Sequence, residues 1–285
     1  MSELRVAKTF QQLTQILDEL RVAERSIGLV PTMGALHAGH LSLVERSRVV
    51  ADTTIVSIFV NPTQFAPTED LAKYPRPLER DLEQLQKAGV SVAFVPEVAE
   101  IYPDDCTTSI VAPRVAQQLE GEYRPSHFGG VCTVVLKLLH LIPAEVAFFG
   151  EKDFQQLAVI RQMAKDLNLV TRIEGCPIIR ESDGLAMSSR NVYLSTAERE
   201  IAASLNQTLS FVEGQINQGE TDGHILMAEM RQRLIDAGVS DIDYAVLAQP
   251  SNLEIVDEVT EDCVALIACH VGQTRLLDNR VIQVD

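Results

Sequence analysis

Between residues 27 and about 180, short β-branched and apolar runs alternate with segments of helical length, a rhythm that few folds accommodate. The runs at 27–30, 54–60, 90–95, 146–149 and 172–179 are nearly continuous in apolar residues, as strands buried on both faces must be. The intervening stretches 41–50, 77–88, 131–141 and 154–167 read as helices, the second closed by a cap-like Gly89. Strand, helix and strand repeated in this way predict an α/β protein with a Rossmann-like parallel sheet.

The rhythm stops after Asn191. Ser195 and Glu198 have capping-box spacing at the head of a long helix through 196–216, and a second helix follows at 224–237. Strand-like runs at 242–247, 264–270 and 274–284 complete the chain. Helices followed by strands predict a smaller α+β domain, and 285 residues exceed what a single core usually organises. The expected domains are residues 1–185 and 186–285.

Composition narrows the partners. A formal charge of −16 repels nucleic acid, so an anionic ligand must meet a local cluster of donors. No stretch reaches the ~18 uninterrupted apolar residues of a membrane span, and the first residues lack the pattern of a secretion signal. Five cysteines without CxxC spacing suggest neither a disulfide framework nor a zinc site, which fits a reducing cytoplasm.

The densest chemical signal is Pro31-Thr32-Met33-Gly34-Ala35-Leu36-His37-Ala38-Gly39-His40, directly after the first of those strands and before the helix that follows it. Ligands of parallel sheets bind at the carboxyl ends of strands, and a helix N-terminus offers N–H groups to a phosphate. His37 and His40, three residues apart, can both donate to one phosphate group as charge builds in nucleotidyl transfer. A surface loop with one capping histidine, or a metal pair, are the competing readings of an HxxH pair.

Three further clusters stand at comparable places. Gly150-Glu151-Lys152-Asp153 with Gln155 and Gln156 joins a strand to a helix, and Lys152 supplies a cation for a triphosphate, while Asp153 suits a helix cap. Met187-Ser188-Ser189-Arg190-Asn191 makes an anion clamp of hydroxyls and a guanidinium. Asn61 and Gln64 follow the second strand of the rhythm and offer neutral hydrogen bonds to a hydroxyl or carboxylate. The segment Arg124 to Gly130 precedes the 131–141 helix as a further anion-facing helix start.

In order along the chain, PTMGALHAGH, SIFVNPTQF, YPR, YRPSHFGGV, GEKDFQQLAVIRQM and MSSRN resemble the pantothenate synthetase (pantoate–β-alanine ligase) family over most of residues 25–195. HxGH alone is shared across a nucleotidyltransferase superfamily, whereas NPTQF with GEKDFQQ is far more specific. The resemblance implies adenylation of pantoate by ATP, then attack of β-alanine on the pantoyl adenylate, without an enzyme nucleophile. It assigns ATP contacts to Met33, Gly34, Ala35, Leu36, His37, Ala38, Gly39 and His40, with His40 as proton donor and His37 as its phosphate-binding companion. Gly150, Glu151, Lys152, Asp153, Ile179, Met187, Ser188, Ser189 and Arg190 would complete the ATP site. Lys152 and Arg190 join the catalytic set, since they take over the work of the lysine in the related KMSKS signature.

Gln64 and Gln156 would bind pantoate, joined by Asn61, and Gln64 would also serve β-alanine. The resemblance further implies Mg²⁺ with the nucleotide, a homodimer, and a C-terminal domain that closes over the ATP site. Asp81, Glu122 and Glu151 are candidate partners for hydrated Mg²⁺, with no basis for choosing among them. One departure is Gly129 where relatives commonly carry arginine, so that residue's role is lost or passes to Arg124. The alternatives are another HxGH adenylyltransferase and a nucleotide sensor that has lost catalysis.

Overall fold

The computed structural model describes residues 3–66 and 69–284, which fall into two compact units. The first holds residues up to Glu151 together with Val159–Pro177, and the second holds Lys152–Ala158 and the chain from Ile178 onward.

The first unit is built on β1 (Arg5–Ala7), β2 (Ile27–Thr32), β3 (Thr53–Ile58), β4 (Val92–Phe94), β5 (Val146–Gly150) and β6 (Arg172–Cys176). These form one parallel sheet in the order β1-β4-β3-β2-β5-β6. Its helices are α1 (Phe10–Val22), α2 (Ala38–Val50), α3 (Leu78–Lys87), the short α4 (Val98–Ile101) and α5 (Glu120–Tyr123), and α6 (His127–Leu141). A seventh helix, α7 (Phe154–Asp166), leads from β5 to β6. Every residue of β3 is buried, as expected of a central strand covered on both faces.

The strand order decides where a ligand can sit. From β2 the chain winds outward through β3 and β4, then returns to lay β5 along the other side of β2, so the winding reverses between β2 and β5. Parallel sheets bind ligands outside the carboxyl ends of strands at such a reversal. Here those ends are Thr32, which leads into the histidine turn, and Gly150. β2 pairs with β3 as far as Thr32 but with β5 only at Gly28 and Leu29, and Pro31 has no N–H to extend a ladder.

Several boundaries differ from the sequence reading, each for a local reason. The strand and helix at the N-terminus, β1 and α1, are additions to it; β1 is three residues long and carries no readable period. The run 172–179 is strand only to Cys176, because Pro177 cannot donate to a ladder. Helix α6 starts at His127 rather than near residue 131, which places both Gly129 and Gly130 inside it.

The second unit packs α8 (Thr196–Asn217) and α9 (Gly223–Asp236) against an antiparallel sheet of β7 (Asp241–Ala248), β8 (Cys263–Val271) and β9 (Thr274–Ile282). Leu205, Leu209, Leu226, Met230, Leu247 and Ile267 lie in its core. The expected capping box opens α8: Ser195 Oγ accepts from Glu198 N–H, and Glu198 Oε2 accepts from Ser195 N–H at 2.8 Å. The five cysteines are free thiols, and burial pushes Cys132 and Cys269 up to about 12, so neither is a nucleophile near neutral pH. Among the described residues, no helix is long and apolar enough to cross a membrane.

Candidate active site

The turn after β2 is shaped by one buried carboxylate. Gly34 and Ala35 both have positive φ, 83° and 50°, a conformation that costs an alanine free energy and persists only where neighbours impose it. Asp81, at 1 % exposure on α3, imposes it: Oδ2 accepts from Ala35 N–H and Oδ1 from Leu36 N–H, each at 2.8 Å. A Cβ on Gly34 would sit 3.0 Å from Asp81 Oδ2, so the glycine serves both the torsion and the close approach. Burial raises the pKa of Asp81, and the two backbone donors offset that only in part. Sequence reasoning sees Asp81 only as one of three Mg²⁺ candidates; its hold on a turn 45 residues away leaves no local signal.

That turn delivers the histidines into the N-terminus of α2. His37 is the N-cap, its Nδ1 accepting from Gly39 N–H at 3.2 Å, and His40 Nδ1 accepts from His37 N–H at 3.4 Å. The capping reading and the phosphate reading are therefore compatible. A ring nitrogen that accepts carries no proton, so each neutral imidazole holds its hydrogen on Nε2 and is a donor there. The rings lie 4.1 Å apart between centroids, both half-buried, at the positive end of the α2 dipole.

Asn61 and Gln64 lie beyond β3, where Asn61 caps a 3-10 turn over Pro62–Gln64. Asn61 is 1 % exposed and spends both amide ends inside the protein. Its Nδ2 donates to Gln64 Oε1 at 3.1 Å and Gly130 O at 3.2 Å, and its Oδ1 accepts from Tyr102 Oη and Thr63 Oγ1, each at 2.9 Å. Through Nδ2 it orients the amide of Gln64. Gln64, itself buried, donates from Nε2 to Met33 Sδ at 3.0 Å, a weak acceptor that a better one can replace. Tyr102 and Thr63, which complete this network, are not singled out by the sequence.

The start of α6 supports the same loop and is no anion site. Arg124 binds both oxygens of Glu69 at 2.7 Å, so its charge is already matched and it does not replace the family arginine as a free donor. Burial alone would raise the pKa of Glu69, but Arg124 outweighs it and holds the carboxyl below its ordinary value. His127 Nδ1–H donates to Gln64 O at 2.8 Å, and burial, helped by Arg124, drives its pKa down to about 4. It is a neutral strut at neutral pH. Gly130 closes the contact: a Cβ there would meet Thr63 O at 2.3 Å, whereas one on Gly129 would meet only Ile110 O, at 3.4 Å.

The second unit holds the other predicted residues except Gly150 and Glu151, which belong to the first. Lys152 Nζ lies 3.8 Å from Asp153 Oδ1, and Lys152 O accepts from Asn279 Nδ2 at 2.8 Å. Gln155 is buried and Gln156 half-buried at the start of α7. Ile179 O accepts from Met187 N–H at 2.9 Å, so these two expected ATP residues face each other across a short hairpin. Ser188 caps the 3-10 turn Ser189–Tyr193 by accepting from Arg190 N–H, and the buried Asn191 braces the segment through Glu181 and Ala186 O. The base of this hairpin is fixed by a two-pronged pair, Arg180 to Asp278 at 2.7 and 2.9 Å.

Comparison with known proteins adds identity to geometry. The family model for pantoate-beta-alanine ligase matches residues 5–281. A pantothenate synthetase of Koribacter versatilis is 45 % identical over 280 residues, 98 % of this chain and 96 % of that one. The crystal structure of pantothenate synthetase from Thermus thermophilus superposes with a TM-score of 0.90 at 40 % identity, covering 97 % of this chain and 98 % of that one. The ligase of Francisella tularensis, solved in complex with beta-gamma ATP and beta-alanine, gives 0.82 at 35 % identity, with 98 % and 97 % covered.

Two consequences are measurable. Gly130→Ala forces the Thr63 carbonyl away and should destabilise the protein by about 1–3 kcal/mol, whereas Gly129→Ala, inside a helix with room for a methyl, should stabilise it by up to ~1 kcal/mol. Urea midpoints of the two variants against the parent decide this, and a reversed order refutes the packing described. The second concerns pH. Because His127 titrates near 6.5 when unfolded and about 4 when folded, the unfolded chain takes up a proton between those values that the folded one refuses. Stability should therefore fall by roughly 3 kcal/mol as pH drops through that window, and His127→Asn should flatten the dependence between about pH 6.5 and 5. An unchanged slope in the variant would remove His127 as its source.

Proposed function

Because the chain belongs to the pantoate-β-alanine ligase family, we propose that it condenses pantoate with β-alanine, driven by cleavage of ATP to AMP and pyrophosphate. The observation that carries the reading is the pair of imidazoles whose Nδ1 atoms accept from the backbone, which makes Nε2 the donor atom of each, standing at the strand reversal in the same unit as a buried, braced glutamine. The pantoate carboxylate attacks the α-phosphorus, pyrophosphate departs, and negative charge grows on the non-bridging oxygens. Donors preorganised by the α2 cap stabilise that charge without reorganising, which is the main source of rate in transfers that need no covalent enzyme intermediate. The amine of β-alanine then attacks the acyl carbon, AMP leaves, and the amine proton passes to solvent or base.

Within this reading Met33 to His40 contact ATP, with His40 the principal donor at the reacting phosphate and His37 its companion. Gln64 binds pantoate through the amide that otherwise rests on Met33, and serves β-alanine afterwards; Gln156 is a second pantoate ligand. Gly150, Glu151, Lys152, Asp153, Ile179, Met187, Ser188, Ser189 and Arg190 are assigned to ATP, Lys152 and Arg190 contributing positive charge in an otherwise acidic protein. Mg²⁺ accompanies the nucleotide. A homodimer in the cytoplasm completes the reading.

Supplying ATP–Mg²⁺, pantoate and β-alanine to the purified chain should yield AMP and pyrophosphate only when pantoate is present. His40→Ala should lower that rate by roughly 10²-fold or more, the usual effect of removing one preorganised donor, with the circular dichroism spectrum unchanged. AMP release independent of pantoate would contradict the substrate, and near-parental turnover in the variant would contradict the role of His40.

A further inference from the structure

Away from the candidate site, Asp241, Asp243 and His270 form the single cluster of three metal-ligating side chains among the described residues, with one donor atom of each within 4.8 Å of the others. They stand on two neighbouring strands of the second unit. Asp241 on the edge strand β7 is directly opposite His270 on β8, and the register slips between Ile242 and Tyr244, leaving Asp243 as the extra residue of a β-bulge. Bulges re-aim a side chain, and this one brings a second carboxylate of β7 toward the same imidazole.

His270 Nδ1 lies within ion-pair reach of both carboxylates without a hydrogen bond to either. It is 3.8 Å from Asp241 Oδ2 and 4.0 Å from Asp243 Oδ1, and although 34 % of the side chain is exposed, the Nδ1 atom itself is shielded from solvent and has no hydrogen-bond partner. An ion with metal–ligand bonds of ~2.1 Å holds tetrahedral donors about 3.4 Å apart, so the imidazole and each carboxylate need close by roughly half an ångström, and the widest pair, at most 4.8 Å apart, by up to ~1.4 Å. Asp241 is well exposed and free to make that movement, while the 7 % exposed Asp243 is held by Arg275 Nε on its other oxygen at 2.7 Å. A hydrogen-bonded ligating carboxylate is the usual outer-shell arrangement of a metal centre.

We propose that Asp241, Asp243 and His270 bind one divalent ion of the zinc class, by imidazole nitrogen and two carboxylate oxygens, and that the ion staples β7 to β8. One nitrogen with two oxygens selects such an ion over Mg²⁺, which prefers oxygen ligands alone. No bond is made or broken in the protein, and a ligand held by the folded form alone raises thermal stability.

Titration of the full chain with Zn²⁺, read by calorimetry and by thermal melting, tests the site. The expected result is one saturable site and a raised Tm, with affinity lowered at least ~10-fold in both Asp241→Asn and His270→Gln, and unaffected by millimolar Mg²⁺. Asp241 is exposed, so its variant reports on the site without disturbing the core. Absence of a saturable site, or Zn²⁺ binding equally well to both variants and therefore lodged elsewhere, overturns the proposal. Equal competition by Mg²⁺ would overturn the assignment to the zinc class.

Discussion

A buried carboxylate holding two consecutive backbone N–H groups sets the geometry of the first unit's functional edge. Gly34 adopts positive φ readily and its N–H bonds Thr32 Oγ1, but Ala35 is held at positive φ by Asp81, and that double reversal is what sends the chain from the end of β2 into the cap of α2. From it follow the direction of α2, the capping bonds to both histidine Nδ1 atoms, and the donor character of both Nε2 atoms. The tautomer, and so the chemistry, is a downstream result of how one aspartate on α3 is placed.

A second support system serves the glutamine. Asn61 fixes the amide of Gln64 from one side, while His127 and Arg124 hold its carbonyl from the other, the latter at 3.3 Å and neutralised by Glu69. Tyr102 joins that hub through Asn61 and carries Lys137 over its ring at 5.6 Å. Asn61, Gln64 and His127 are buried and the others half-buried, and their hydrogen bonds run to the backbone or to one another. Such an arrangement holds a polar side chain ready for a ligand while leaving the energetic penalty of burying it small.

The parallel sheet is legible because its strands are continuous apolar runs, and the histidine turn because residue type and position coincide. The second unit is legible for a similar reason, since Ser195 and Glu198 announce α8 by spacing alone. What escapes has no local signature: Asp81 sits in an acidic, amphipathic helix where an aspartate ordinarily faces water, and Tyr102 lies in an unpatterned segment. The two glycines at 129 and 130 read as a segment ahead of the helix, yet the helix runs through them, and close approach to Thr63 requires the second. Position assigns Asn61 to substrate, and its set of protein partners adds a contact to Gln64 that the sequence does not announce.

The central claim is that Asp81 builds the turn on which pantoate is activated. Exchange of labelled pyrophosphate into ATP, run without β-alanine, isolates that first half-reaction. The account predicts exchange in the parent protein that depends strictly on pantoate, and its loss in Asp81→Asn, where an amide N–H must face a backbone N–H, with the fold otherwise retained. Exchange at the parental rate in that variant would contradict it.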